Sequence, residues 1–158
     1  MKGKSMKKGD LISIWQLVKD SKFGKMTSEG KTKYVKMIAK LSPVVKEFET
    51  YRETIAEKLM SEHENFKENL QDAQVYEAYQ QDNTKDKPKM TDKQYKEFTK
   101  VVEKYNKDFF AAVKEEMDKE VEVKYDKLTS DEFVGFCDSN DFTTTQALAL
   151  SEVMSNME

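Results

Sequence analysis

The residues that could do chemistry are few and lie far apart in the chain. Among 158 residues there is one histidine, His63, and one cysteine, Cys137. Nucleophilic catalysis needs a nucleophile beside a base, and a zinc site needs several Cys and His ligands, and no spacing here supplies either arrangement. His63 follows Leu59 and precedes Phe66 at helical spacing, which predicts a packed or half-exposed helix histidine. Cys137 is expected to be a buried, inert thiol.

Acidic clusters do not complete a metal or catalytic site. A segment that begins at Asp82 has oxygen side chains at calcium-loop positions 1, 3 and 5 but lacks the glycine at position 6, and Lys93 stands where a Glu is required. A second segment, from Asp138, fails in the same way. Adjacent carboxylates such as Glu115 and Glu116 look like ordinary acids on a helix surface. We therefore predict no catalytic residue, no cofactor, no metal and no enzymatic activity.

Charge is divided unevenly along the chain. Residues 1–46 contain 12 Lys and 3 acids, a balance of +9, and the remainder has a balance of -12. The simplest interpretation is two solvated helix faces, although such halves can also attract each other within one molecule or between neighbours. No Arg occurs in residues 1–46, so specific base recognition is disfavoured and lysines would give only salt-sensitive attraction to a nucleic-acid backbone. A protein partner or self-association is expected, with a possible interaction surface at Lys4, Lys7, Lys8 and Trp15.

Helical periodicity dominates the elements that must position these residues. A first short helix is predicted from an N-cap at Asp10 to Gly24. A long helix is predicted from about residue 27 to about residue 79, with Arg52 at a skipped position of its apolar seam. Pro43 lies inside this helix, and either kinks it or starts a fresh helix with Ser42 as its N-cap. We favour the kink because the seam keeps its phase across the proline.

The second half of the chain restarts helices at three capping boxes. "QQDNTKDKPK" predicts an exposed loop at about 80–90. "MTDKQY" then starts a long helix at Thr91, whose aromatic seam predicts an antiparallel hairpin with the preceding helix. Boxes at Thr129 and Thr143 predict short helices over about 129–138 and 143–156.

One stretch has strand spacing. In "KEVEVKY" the apolar residues Val121, Val123 and Tyr125 alternate with charged ones, which predicts a strand near 120–126. Its partner is predicted to be residues 2–8 of the same chain, and the alternative is a strand from another subunit. A two-stranded ribbon needs a packed helix to be stable. The expected packing residues are Leu11, Trp15, Phe133 and Leu148.

Composition agrees with one helical domain over residues 1–158. Charged residues make up 36% of the chain, and only 5 Gly and 2 Pro are present, too few turn residues for a sandwich or barrel. No apolar run approaches the roughly 20 residues of a membrane helix, and we predict no signal peptide. The predicted fold is mainly α, a long antiparallel helical hairpin with short flanking helices and a minor two-stranded β element.

The order of these elements resembles a family of small uncharacterised proteins from tailed bacteriophages and prophages. The resemblance rests on the entry "GDLISIWQLV", the helix "KYVKMIAKLSPVVKEFETYRETIAEKL", the strand "EVEVKY" and the ending "LTSDEF…FTTTQALALSEVM". It implies a phage or prophage setting in the bacterial cytoplasm or in the virion, and no known activity. The expected function is a non-enzymatic phage structural or assembly-associated protein that acts through protein–protein contacts. The alternative is a cytoplasmic regulatory or host-interacting adaptor that binds a protein or, with less support, nucleic acid.

Overall fold

The chain folds into six helices and two strands over the residues that the structure describes. The computed structural model describes the backbone of residues 3–156 and the side chains of residues 5–156. The elements are, in chain order, β1 (Gly3–Lys7), α1 (Lys8–Val18), α2 (Ser28–Ser61), α3 (Phe66–Gln81), α4 (Asp92–Met117), β2 (Glu120–Lys124), α5 (Ser130–Asp138) and α6 (Thr144–Met154). The prediction of a mainly α fold with a minor β element is confirmed. The chain divides into two compact units, one of residues 1–49 and 116–158 and the other of residues 50–115.

The predicted strand pairs within its own chain. β1 and β2 form a two-stranded antiparallel sheet in which Met6 lies opposite Val121 and Lys4 opposite Val123. The Lys8 N–H donates to the Lys119 carbonyl at 2.9 Å and extends the pairing into α1. The intramolecular pairing is therefore confirmed over the intersubunit alternative.

The ribbon packs on the core of the first unit. Leu11, Phe133 and Phe136 are almost fully buried there, and Trp15 packs against them partly buried. Leu148, which we expected in this packing, is 64% exposed, so that prediction was wrong. The neighbours of Leu148 on α6 that do enter the core are Leu150, Val153 and Met154.

α1 begins and ends earlier than its sequence pattern predicted. Its N-cap is Lys7, without a side-chain cap, so the prediction of Asp10 as N-cap was wrong. Its end at Val18, not near Gly24, has a physical cause: the Lys22 N–H, which a longer helix would direct to the Val18 carbonyl, donates to Asn140 Oδ1 at 2.7 Å instead, and other donors reach that carbonyl. The N–H and Oγ of Ser21 donate to it at 3.0 and 2.7 Å, and the hydroxyl of Tyr34 donates at 3.3 Å.

α2 runs through Pro43 as one helix, which confirms the continuous helix over a fresh start. The seam explains this outcome, because Leu41, Val45 and Phe48 lie on one buried face on both sides of the proline. Burial of a continuous apolar face outweighs one missing helical hydrogen bond.

The predicted continuation of this helix to about residue 79 was wrong. α2 ends at Ser61, and α3 begins at Phe66 after a turn in which Asn65 has φ 56°, in the left-handed region. Asn adopts this conformation more readily than other side-chain-bearing residues, and its polar neighbours Glu62 and Glu64 offer no apolar contact to hold a helix through the turn.

The second unit is the predicted antiparallel hairpin. Its contacts run in opposite directions along the two limbs: the hydroxyl of Tyr51 donates to the Ala112 carbonyl at 3.3 Å, and the Tyr76 and Tyr95 rings stack at 4.2 Å between centroids. A core cluster of Phe66, Ala73, Met90 and Phe98 lies at the end formed by α3 and α4. Of the exposed loop predicted at about 80–90, residues 82–87 and Lys89 are exposed, whereas Pro88 is half-buried and Met90 is buried.

All three capping boxes are confirmed. The Thr91 N–H donates to Gln94 at 2.9 Å, and the Gln94 N–H donates back to the Thr91 hydroxyl at 3.2 Å. Thr129 and Thr143 form the same reciprocal pairs with the residue three positions on, and they start α5 and α6.

Candidate interaction surface

The two residues with the most reactive side chains lie in separate units. His63 lies in the turn between α2 and α3, half-buried with its ring 6.2 Å from that of Phe66, so it is not a helix residue as predicted. Cys137 is a half-buried free thiol on α5, and burial raises its pKa. A raised pKa leaves less thiolate, which makes the thiol less reactive.

Neither acidic loop forms an ion site in the described part of the chain. No group of three or more His, Cys, Asp or Glu residues among the described residues is arranged to hold a metal ion. Asp82 instead accepts hydrogen bonds from the Thr84 hydroxyl and N–H, which lower its pKa. An open groove of about 380 Å³ lies between α3 and α4, but its lining mixes acids, amides, a lysine and apolar side chains, and none of these polar side chains is buried.

The four residues predicted as an interaction surface do not share one environment. Lys7 is exposed and Trp15 is half-buried against the core. Lys8 is mostly buried, and its Nζ lies 2.6 Å from the Glu116 carboxylate. The backbone of Lys4 lies in β1, and its side chain lies outside the described residues.

Opposite charges from the two ends of the sequence meet inside the first unit. Glu116 accepts hydrogen bonds from Lys119 at 2.8 Å and Lys8 at 2.6 Å, which lower its pKa. Glu132 accepts from Lys33 at 2.8 Å, and this bond together with its capping bond from Thr129 lowers its pKa. Residues 1–49 carry +7 and residues 116–158 carry -8, so the unit as a whole is nearly neutral. The charge halves therefore attract each other within one molecule.

Along much of the second unit, the apolar seam between the two limbs of the hairpin contains no fully buried side chain. Among the described residues, none in 50–65 or 99–115 is buried, although both stretches are rich in apolar residues. The half-buried members are Tyr51, Ile55, Leu59, Met60, Val101, Val102, Tyr105, Phe109 and Val113. Arg52, at the skipped position of the predicted seam, lies 5.9 Å from the Phe109 ring centroid, a cation–π contact that covers part of the seam.

The side of α4 that faces away from this seam carries an aromatic residue among lysines. Phe110 is 75% exposed, more than any other large apolar side chain described. Lys107 and Lys114 stand three residues before and four residues after it, which places all three on one helix face. The same three-and-four spacing defines what we call the outer row of α4. Its members, all exposed, are Lys93, Lys96, Lys100, Glu103, Lys107, Phe110 and Lys114.

The sequence contains a pattern that indicates this row, but the prediction of the hairpin rested on the apolar seam alone and missed it. The five lysines follow steps of three, four, seven and seven residues. Phe110 stands next to Phe109 in "DFFAAV", and only the helical phase decides which of the two enters the seam. Lysines repeated every seven residues, with an aromatic residue on the same helix face, indicate a solvent-facing stripe with an apolar anchor.

The fold and this surface define a mainly helical protein with a small β ribbon and a charged hairpin. Among the described residues, no helix has both the length and the apolar character required to cross a membrane. No family model matches the chain, and no curated protein or solved structure is significantly similar to it. The resemblance to phage and prophage proteins stays a prediction from the order of the elements.

Proposed function

We propose that this protein is a non-enzymatic structural or assembly-associated protein of a phage or prophage that acts through protein–protein contacts. The observation that carries the proposal is Phe110, an aromatic side chain 75% exposed between two lysines on a helix face. Exposed aromatic residues are enriched at the centres of protein interfaces, where a charged rim surrounds them. The phage setting and a location in the bacterial cytoplasm or virion rest on the resemblance of element order.

The hairpin suits the role of a helical spacer. α4 has 26 residues and would extend about 39 Å at 1.5 Å per residue. The half-buried seam leaves apolar surface on a second side, since side chains at 50–65 and 99–115 keep part of their area in solvent. A partner that covers this surface would gain roughly 25 cal/mol for each Å² of apolar area removed from water.

Co-purification from infected or prophage-carrying cells tests the proposal. The wild-type chain should recover an identified virion or assembly protein at low salt, and Phe110→Ala should recover at least about tenfold less. Leu148→Ala is the matched control, because Leu148 is also strongly exposed but lies on α6. Equal recovery by wild type and Phe110→Ala would contradict the proposal.

The adaptor alternative is favoured by one observation. The strand and the charge halves both find their partners within one chain, so neither is left to bridge subunits. A nucleic-acid version of this alternative predicts salt-sensitive retention on DNA that is lost when lysines are reversed. Lys7→Glu with Lys4→Glu is the suitable pair, because Lys8→Glu would place a second carboxylate against Glu116 and disturb the fold.

A further inference from the structure

We propose that the outer row of α4 docks on the acidic limb of a second copy of this chain. The inference deepens the proposed function and rests on it, since it names the partner as another copy. The acidic limb is the stretch 53–68, which spans the end of α2 and the start of α3. Its exposed acids are Glu53, Glu57, Glu62, Glu64 and Glu68.

Charge complementarity argues for this occupant. The outer row has five lysines and one glutamate, a balance of +4. The acidic limb has five glutamates and two lysines, Lys58 and Lys67, a balance of -3. Neither surface takes part in an ion pair among the described residues, whereas the acids of the first unit with the lowest exposure, Glu116 and Glu132, are paired internally. Both surfaces therefore keep their charge available to a neighbour.

The acidic limb also offers apolar surface for an aromatic anchor. Leu70 and Val75, on α3 just beyond the limb, are 38% and 37% exposed. Met60 and Leu59 are half-buried at the end of α2. Where Phe110 packs on these side chains and the lysines of the outer row pair with the neighbouring glutamates, the contact has an apolar centre and a charged rim.

Size predicts a weak, salt-sensitive contact. The outer row spans 22 residues from Lys93 to Lys114, so the face measures roughly 33 Å by 10 Å, or about 330 Å². A standard interface buries about 800 Å² on each partner. Because the row of one copy meets the limb of another, the contact can form twice about a two-fold axis and close a dimer, or repeat head to tail into a ring or an open chain.

Reversal of charge on each surface separately tests the proposal on purified protein. The row variant is Lys107→Glu with Lys114→Glu, and the limb variant is Glu53→Lys with Glu57→Lys. Absolute mass by light scattering at about 50 mM salt should exceed the monomer for wild type and fall to the monomer at about 500 mM salt. Each variant alone should be monomeric, and an equimolar mixture should form a dimer of one copy of each variant, because the wild-type row of the limb variant then meets the wild-type limb of the row variant.

Two controls isolate the surfaces. Lys36→Glu with Lys40→Glu makes the same charge change at exposed positions of α2 and should leave the mass unchanged. Phe110→Ala should weaken association about 10- to 100-fold, the range expected for loss of a buried Phe side chain.

Three results would overturn the inference: a wild-type monomer at every salt concentration, variants that associate like wild type, or a mixture that stays monomeric. Each of these results leaves the proposed function unaffected, provided that Phe110→Ala recovers less of the virion protein than wild type does in the co-purification. Conversely, if the chain recovers no virion protein but still self-associates, the proposed function fails and the second copy as occupant stands. A result with DNA would also overturn a second copy as the occupant. In that result the wild-type chain is retained on DNA, the row variant is not, and the two proteins have the same mass in solution.

Discussion

Glu132 joins two functions in one carboxylate. It completes the capping box of α5 by accepting from the Thr129 N–H at 2.8 Å, and it pairs with Lys33 of α2 at 2.8 Å. The side chain is only 8% exposed, so solvent screens the pair weakly. A helix start and a contact between two distant helices therefore depend on one charge.

Replacement of this charge should destabilise the fold in a pH-dependent way. Glu132→Gln should lower the free energy of unfolding by about 1–2 kcal/mol at pH 7, as for a hydrogen bond to a charged group. The folded-state pKa of Glu132 lies below its ordinary value of 4.5, so the pair stabilises fully above about pH 5 and loses this contribution as pH falls through the lowered pKa. Urea unfolding at pH 7 and about pH 3 measures both effects, and the difference between wild type and variant should shrink at the lower pH.

Glu29→Gln is the matched control. Glu29 lies 3.9 Å from the same Lys33 ammonium but is 80% exposed. An exposed ion pair contributes at most about 0–1 kcal/mol, so this variant should unfold close to wild type. Equal destabilisation by the two variants would show that the buried position of Glu132 does not matter.

At the scale of elements, one residue decides where the first limb of the hairpin breaks. Asn65 has φ 56°, a conformation that costs most side chains roughly 1 kcal/mol or more and costs Gly very little. The Asn69 N–H donates to the Asn65 carbonyl at 2.9 Å, so α3 begins directly from this turn. The break is therefore a feature of backbone conformation at one position.

Substitutions at this position should separate backbone cost from side-chain contacts. Asn65→Val should lower the free energy of unfolding by about 1–2 kcal/mol, because a β-branched residue resists the left-handed region. Asn65→Gly should stay within about 0.5 kcal/mol of wild type. Thermal or urea unfolding checks both, and a Gly variant as unstable as the Val variant would point to lost side-chain contacts instead of backbone strain.

At the scale of the whole molecule, the two units differ in how much side-chain surface they bury. The first unit has a core that includes Leu11, Met37, Leu41, Phe136 and Leu150, all at most 1% exposed. The second has four buried apolar side chains among its described residues, at one end. Local stability follows buried apolar contact, so the units should open with different free energies.

Hydrogen exchange should reveal this difference. Amides of residues 50–61 and 99–115 should exchange faster than those of α1, α5 and the 30–48 part of α2. Exchange in the first group should slow as protein concentration rises at low salt, if copies associate through the hairpin. Uniform protection along α2 would contradict the assignment of its two parts to differently stabilised units.

Much of the fold follows from local patterns that the sequence carries openly. Capping boxes at Thr91, Thr129 and Thr143 predict three helix starts correctly, because each box satisfies its own backbone donors within four residues. The alternation around Val123 predicts β2, and the seam across Pro43 predicts a continuous helix. These features depend on residues near one another in the chain.

The errors and the overlooked surface depend on contacts between residues far apart in the chain. α1 stops at Val18, where the Lys22 N–H that would continue the helix donates to Asn140, 118 residues away. Lys8 belongs to the ion pair with Glu116, 108 residues away, so its charge is not part of a free surface. Phe109 and Phe110 are adjacent on α4, and the packing of α4 against the other limb decides which of the two lies in the seam.

The sequence by itself determined the class of fold, the three helix starts at capping boxes, the ribbon and the exposed loop, because periodicity and caps act over a few residues. Tertiary structure decided which charges neutralise each other and which side chains stay in water. The reason is physical: local hydrogen bonds set an element, whereas burial and ion pairing depend on the elements that surround it. Only the folded chain shows that its basic start and acidic end pair with each other, while Phe110 and its lysines remain exposed.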